Sequence, residues 1–162
     1  MKLSHSLALL FGFMFLNALN LAAQQKALVN YEVSMQNPEQ QKFQVSMQLH
    51  IQKTTNFIMP VWTPGYYQNM NFAQYVSNFM VKDKAGLTLN WEKIDENTWK
   101  INSTKETVIT VTYDIKATRA FVASSYLGAD RAYIIPGALF LYPEGKINEP
   151  STIKINPINN WT

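Results

Sequence analysis

Phe43-Gln44-Val45-Ser46-Met47-Gln48-Leu49-His50-Ile51 decides the fold class. Its odd-numbered residues are apolar and its even-numbered residues are polar. Successive side chains of a β-strand point to opposite faces, so this alternation places all the apolar groups on one side of a sheet. A helix would scatter the same residues around its surface. On the N-terminal side, Val29, Tyr31, Val33 and Met35 alternate with Asn30, Glu32, Ser34 and Gln36. On the C-terminal side, Ile109, Val111, Tyr113 and Ile115 alternate with Thr110, Thr112, Asp114 and Lys116. These segments predict antiparallel sheet with one solvated face.

Shorter segments repeat the pattern. Residues 57–62 form an apolar run, and Phe79 and Val81 lead into the turn Asp83-Lys84-Ala85-Gly86. Leu87, Leu89 and Trp91 alternate after it. Asp95-Glu96-Asn97 then separates Trp91 from Trp99 and Ile101 at hairpin spacing. Ile153 and Ile155 alternate once more before Pro157. Turn signals recur at Asn37-Pro38, Pro64-Gly65, Pro136-Gly137 and Pro143-Glu144-Gly145. The expected fold is all-β: an antiparallel, sandwich-like domain with at most one short helix, placed around residues 71–78.

The chain has 162 residues, 47% of them hydrophobic, and a net charge of +3. That is one domain with an ordinary core. Its Lys and Arg residues form no stripe, so nothing points to nucleic acid. Residues 1–23 read as a secretory signal peptide: Lys2, an apolar stretch over residues 7–16, then Ala22 and Ala23. That stretch is short for a membrane span of about 20 residues. The expected mature chain is residues 24–162, exported to the periplasm or beyond, with no stable membrane span after cleavage. It has no cysteine, so its stability rests on the core and not on disulfides.

Catalytic chemistry is poorly provided for. With His5 in the leader, His50 is the mature chain's one histidine, and it lies on the polar face of its strand. A zinc site needs three or four His, Cys, Asp or Glu ligands, and no loop has the calcium-binding acidic spacing. There is no Gly-x-Ser-x-Gly motif, and Ser124-Ser125 reads as a polar loop pair. Asp95 and Glu96 are solvated turn residues, unlike a glycosidase dyad. The methionines at 35, 47, 59, 70 and 80 could present thioethers to monovalent copper, but Met35 and Met47 fall on apolar faces as core filler. No catalytic or metal-binding residue is assigned, and no cofactor.

Two stretches stand out. Trp62-Thr63-Pro64-Gly65-Tyr66-Tyr67 reads as a strand ending in a Pro-Gly turn, with glycine at the positive-φ position of type II geometry. Its aromatics either clamp the turn or form a stacking surface for peptide or glycan. In the second, Asp130-Arg131-Ala132-Tyr133-Ile134-Ile135-Pro136-Gly137 passes from a charged loop into an apolar run broken at Pro136-Gly137.

These stretches carry a family resemblance. Tyr-x-Val at the first strand is followed by Met-Pro-Val-Trp-Thr-Pro-Gly-Tyr-Tyr over residues 59–67 and Phe-Ala-Gln-Tyr-Val over 72–76. Val-Thr-Tyr-Asp-Ile-Lys-Ala over 111–117 and Ala-Asp-Arg-Ala-Tyr-Ile-Ile-Pro-Gly-Ala-Leu-Phe-Leu-Tyr over 129–142 complete the order. The whole resembles the N-terminal domain of the glycyl aminopeptidase family of metallopeptidases, peptidase family M61, whose members often carry a PDZ domain.

The resemblance implies an all-β domain that precedes a thermolysin-like catalytic domain with a His-Glu-x-x-His zinc site. No zinc ligand or catalytic glutamate of that family has a counterpart here, so zinc is expected in the catalytic domain and not in this chain. The chain is thus expected to be a fragment of a longer gene product. Its role would be to pack on the catalytic domain as partner and to wall part of the substrate cleft with Asp130, Arg131, Tyr133 and Pro136. Trp62, Thr63, Pro64, Gly65 and Tyr66 are expected to form a structural turn. The rival expectation is a stand-alone exported module that binds peptide or glycan.

Overall fold

The structure, a computed structural model, describes residues 28–118, 121–158 and 161. The expected signal peptide lies outside the described residues.

The three alternating segments become adjacent strands of one sheet. β1 (Val29–Ser34), β2 (Lys42–Ile51) and β7 (Thr107–Lys116) pair antiparallel with β4 (Val76–Asp83) on the far side of β7. The β2–β7 register sets Phe43 opposite Ile115, Val45 opposite Tyr113 and Met47 opposite Val111. All six side chains are buried. Their polar neighbours form the outer face, as the period of two requires. His50 lies there, with its Nε2 3.0 Å from Glu106 Oε1.

A second sheet covers the apolar face. β5 (Trp91–Lys93) pairs with β6 (Thr98–Ile101), then comes β3 (Thr55–Ile58), then β10 (Tyr142–Pro143). Phe57, Trp99 and Ile101 face inward and share one core with the first sheet. Phe79 stacks on Trp99 at 5.5 Å and meets Trp91 edge-on at 4.8 Å. A bulge in β4 makes this possible. The register shifts between Ser77 and Met80, and Asn78 takes φ 53°. The extra residue turns Phe79 into the core, and the Asn78 amide donates to Asp114 Oδ2 at 2.7 Å on the outer face.

Two buried hydroxyls tie the segment before β10 to the first sheet. Tyr113 donates to the Leu139 carbonyl at 3.0 Å and accepts from the Leu141 N–H at 3.1 Å. Tyr31 donates to the Leu141 carbonyl at 2.6 Å. A backbone stretch too irregular for a ladder thereby has its polar groups satisfied.

Four expectations change in detail. The run over 57–62 is strand only to Ile58, because Pro60 has no N–H to continue a ladder. Leu87 and Leu89 form no strand with Trp91; Thr88 makes one isolated bridge to Lys82 and Leu87 is exposed. The helical segment is a 3-10 turn over Phe72–Tyr75. The sheet is also mixed, because β11 (Ser151–Asn156) pairs with β1 in parallel. Among the described residues no helix is long and apolar enough to cross a membrane.

Candidate functional surface

The two conspicuous stretches meet at one end of the fold. Beyond β3, Thr63-Pro64-Gly65-Tyr66 makes the predicted turn, with the Tyr66 N–H donating to the Thr63 carbonyl at 3.3 Å and Gly65 at φ 91°. The Met70 N–H closes the base of this loop on the Val61 carbonyl at 2.7 Å. Pro136 opens a 3-10 turn, Pro136–Ala138. A Cβ placed on Gly137 would stand 3.5 Å from the Trp62 carbonyl and 3.9 Å from Pro60 and Thr63. The backbone at 137 thus lies directly on the loop of the Trp-Thr-Pro-Gly motif.

A third loop joins them. Tyr66 meets Phe121 edge-on at 5.4 Å. Phe121 and Val122 are exposed, and sequence reasoning passed over both; the signal available was an aromatic just beyond the end of the β7 alternation. Ser124 and Ser125, read as a polar loop pair, are buried. The Ser125 hydroxyl accepts the Ile135 N–H at 3.1 Å and so ties Ser125 to the run that leads to Pro136.

The charged residues sit on the rim. β8 (Tyr126–Leu127) and β9 (Ala132–Tyr133) form a small hairpin. At its tip Arg131 Nη1 donates to Asp130 Oδ2 at 2.8 Å, with both side chains largely exposed. The Arg131 guanidinium lies 5.4 Å from the centre of the Tyr126 ring, so the ring orients it as well. The Trp161 indole N–H donates to the Ala129 carbonyl at 3.1 Å and braces this tip from the far end of the chain.

Several large apolar side chains of these loops are exposed. Trp62 is 48% exposed, Tyr67 100%, Phe121 40% and Tyr133 49%. The motif is therefore structural at Pro64 and Gly65 and presented to the outside at Trp62 and Tyr67.

Among the described residues no three His, Asp or Glu side chains come together. His50 and Glu106 make only a pair, and zinc needs at least three protein ligands. The donor set of this domain does not fit that ion. Met35, Met47 and Met59 are buried, while Met80 is exposed on the outer face, so they are core filler and not a common thioether site.

Comparison with known proteins agrees with this geometry. Residues 30–162 match the family described as the peptidase M61 N-terminal domain. The fold is similar to that of an aminopeptidase N family protein from Idiomarina loihiensis, at a TM-score of 0.75 and 23% identity, covering 81% of this chain and 22% of that one. An M1 zinc metallopeptidase from Deinococcus radiodurans aligns over 82% of this chain and 32% of its own length, at 8% identity and a TM-score of 0.39. No curated protein matches the sequence. The chain thus spans about a fifth of the Idiomarina protein it resembles.

Proposed function

The chain belongs to the peptidase M61 N-terminal domain family, and from that premise we propose that it is the non-catalytic β-domain of an exported zinc aminopeptidase. Its end surface packs on the catalytic domain of the same polypeptide, and the Asp130–Arg131 rim walls part of the substrate cleft. One observation carries this reading. Both family-like stretches come together, because the Gly137 backbone lies against the loop at Trp62. A surface built of aromatics with a charged margin has the composition of a domain interface: an apolar centre that excludes water inside a polar rim. Export rests on the leader-like residues 1–23.

The test uses the polypeptide that carries this chain together with its catalytic domain. Arg131→Ala and Tyr133→Ala are expected to raise KM for a glycyl substrate by about tenfold, the equivalent of one lost contact near 1.4 kcal/mol, with kcat unchanged. Unchanged KM in both variants removes the cleft role. The exposure of Trp62 and Tyr67 also supports a second reading, a free-standing module whose aromatics stack on peptide or glycan. That reading requires the isolated chain to bind such a ligand and to lose it on Trp62→Ala.

A further inference from the structure

The β11 margin of the first sheet carries a second feature. β11 is the last strand of its sheet, and among the described residues nothing pairs with its outer edge. The Pro150 and Asn156 carbonyls accept the Leu28 and Met35 N–H groups of the β1 segment, at 2.8 and 3.2 Å. Backbone groups alternate sides along a strand. Even-numbered residues of β11 therefore face β1, and the N–H and C=O groups of Ser151, Ile153 and Ile155 point out at the open edge.

The same residues are unpartnered above. Ile153 stands opposite Tyr31 and Ile155 opposite Val33, so both isoleucines lie on the apolar face of the sheet. Tyr31 and Val33 are buried, but Ile153 is 51% and Ile155 41% exposed. The polar face of β11 is firmly held. Thr152 donates to Asn30 Oδ1 at 2.6 Å, and Glu32 Oε1 accepts from Lys154 at 3.0 Å and from Asn156 at 2.6 Å. Lys154 and the flanking Pro150 and Pro157 are its only protections as an edge; the strand itself has no proline, no bulge and no charge on its apolar face.

We propose that the β11 edge receives an extended segment of the catalytic domain of the same polypeptide, adding one strand to the five-stranded sheet; this rests on the reading of the chain as an M61 N-terminal domain. The occupant is specified by chemistry. Its backbone bonds to Ser151, Ile153 and Ile155, its apolar side chains cover the two isoleucines, and an acidic or neutral residue lies across from Lys154. A second copy of this chain fits less well. A self-pairing centred on β11 sets Lys154 either directly opposite its own copy or on the diagonal about 7–8 Å away, with the pairing of Lys154 to Glu32 offsetting part of the repulsion. The remaining four-fifths of a chain like the Idiomarina protein is ample to supply such a segment.

Hydrogen exchange tests this on two samples, the 162-residue chain and the polypeptide that includes the catalytic domain. The Ser151, Ile153 and Ile155 amides are expected to exchange freely in the first and at least about 100-fold more slowly in the second. Replacing Ile153 and Ile155 by Lys is expected to leave unfolding of the 162-residue chain unchanged and to abolish the added protection. Fast exchange at these amides in the longer polypeptide, with residues 62–67 and 121–137 protected, overturns the edge proposal and leaves the domain-packing reading standing. Absence of protection at both surfaces overturns both. Protection of the edge already in the 162-residue chain, rising with its concentration, makes a second copy the occupant and overturns the proposal.

Discussion

Trp99→Ala is expected to destabilise the domain by about 3–5 kcal/mol, the cost of deleting a buried tryptophan and leaving its cavity. Trp99 is the hub of the covering sheet. It pairs across to Phe57 on one side and Lys93 on the other. It stacks on Phe79 from the first sheet, and Lys93 Nζ stands 4.8 Å over its ring. Its loss removes the contact that locks the two sheets together at the β4 bulge. A domain of this size has roughly 5–15 kcal/mol in total, so the variant is expected to be only marginally folded at room temperature. Urea unfolding followed by far-ultraviolet dichroism reads the change in midpoint. A loss below about 1 kcal/mol would mean that the covering sheet does not depend on this side chain.

Alkaline pH is expected to unfold the protein over a narrow range, through Tyr31 and Tyr113. Burial pushes the Tyr31 phenol up to about 12. Burial raises the Tyr113 phenol still further, with the Leu141 N–H bond only partly offsetting it. In the unfolded chain both titrate near 10. A group that must stay protonated when folded contributes its stability in full below the unfolded pKa, and loses it as pH rises toward the folded value. The contribution is therefore intact below pH 10 and falls between 10 and 12. Each phenol contributes a slope of about 1.4 kcal/mol per pH unit, so Tyr31 alone accounts for a loss of about 3 kcal/mol across the window. Tyr31→Phe is expected to roughly halve the slope there, and to cost about 1 kcal/mol at neutral pH through loss of its bond to the Leu141 carbonyl. Stability that stays flat from pH 10 to 12 would contradict the burial of both hydroxyls.

The core of the first sheet was legible in the sequence because period two has one structural meaning when it runs this long. Phe43, Val45 and Met47 meet Ile115, Tyr113 and Val111 in register, as their alternation requires. The Pro64–Gly65 turn was legible for a similar reason, since only glycine takes φ 91° there without strain. Alternation at Ile153 and Ile155 correctly marks a strand and a shared face. It says nothing of whether another layer covers that face, nor that β11 runs parallel to β1. The first depends on packing between layers and the second on how the chain returns to the sheet, and neither has a local signal.

The surface at the other end shows the same division. Trp62 and Arg131 were conspicuous by local composition. The approach of the two stretches depends on Gly137 lying against the Trp62 backbone and on the buried Ser125–Ile135 bond, contacts without a local signal. Phe121 was missed because a lone aromatic in a loop has no period.

The central claim is that this domain serves a peptidase without itself performing the chemistry. The most direct test is an aminopeptidase assay on the purified chain, its folding first confirmed by dichroism, with glycine p-nitroanilide as substrate and zinc added. The account predicts no p-nitroaniline release above the buffer rate, with hydrolysis appearing only when the catalytic domain is present in the same polypeptide. Turnover that scales with the concentration of the isolated chain and is abolished by a chelator would contradict it.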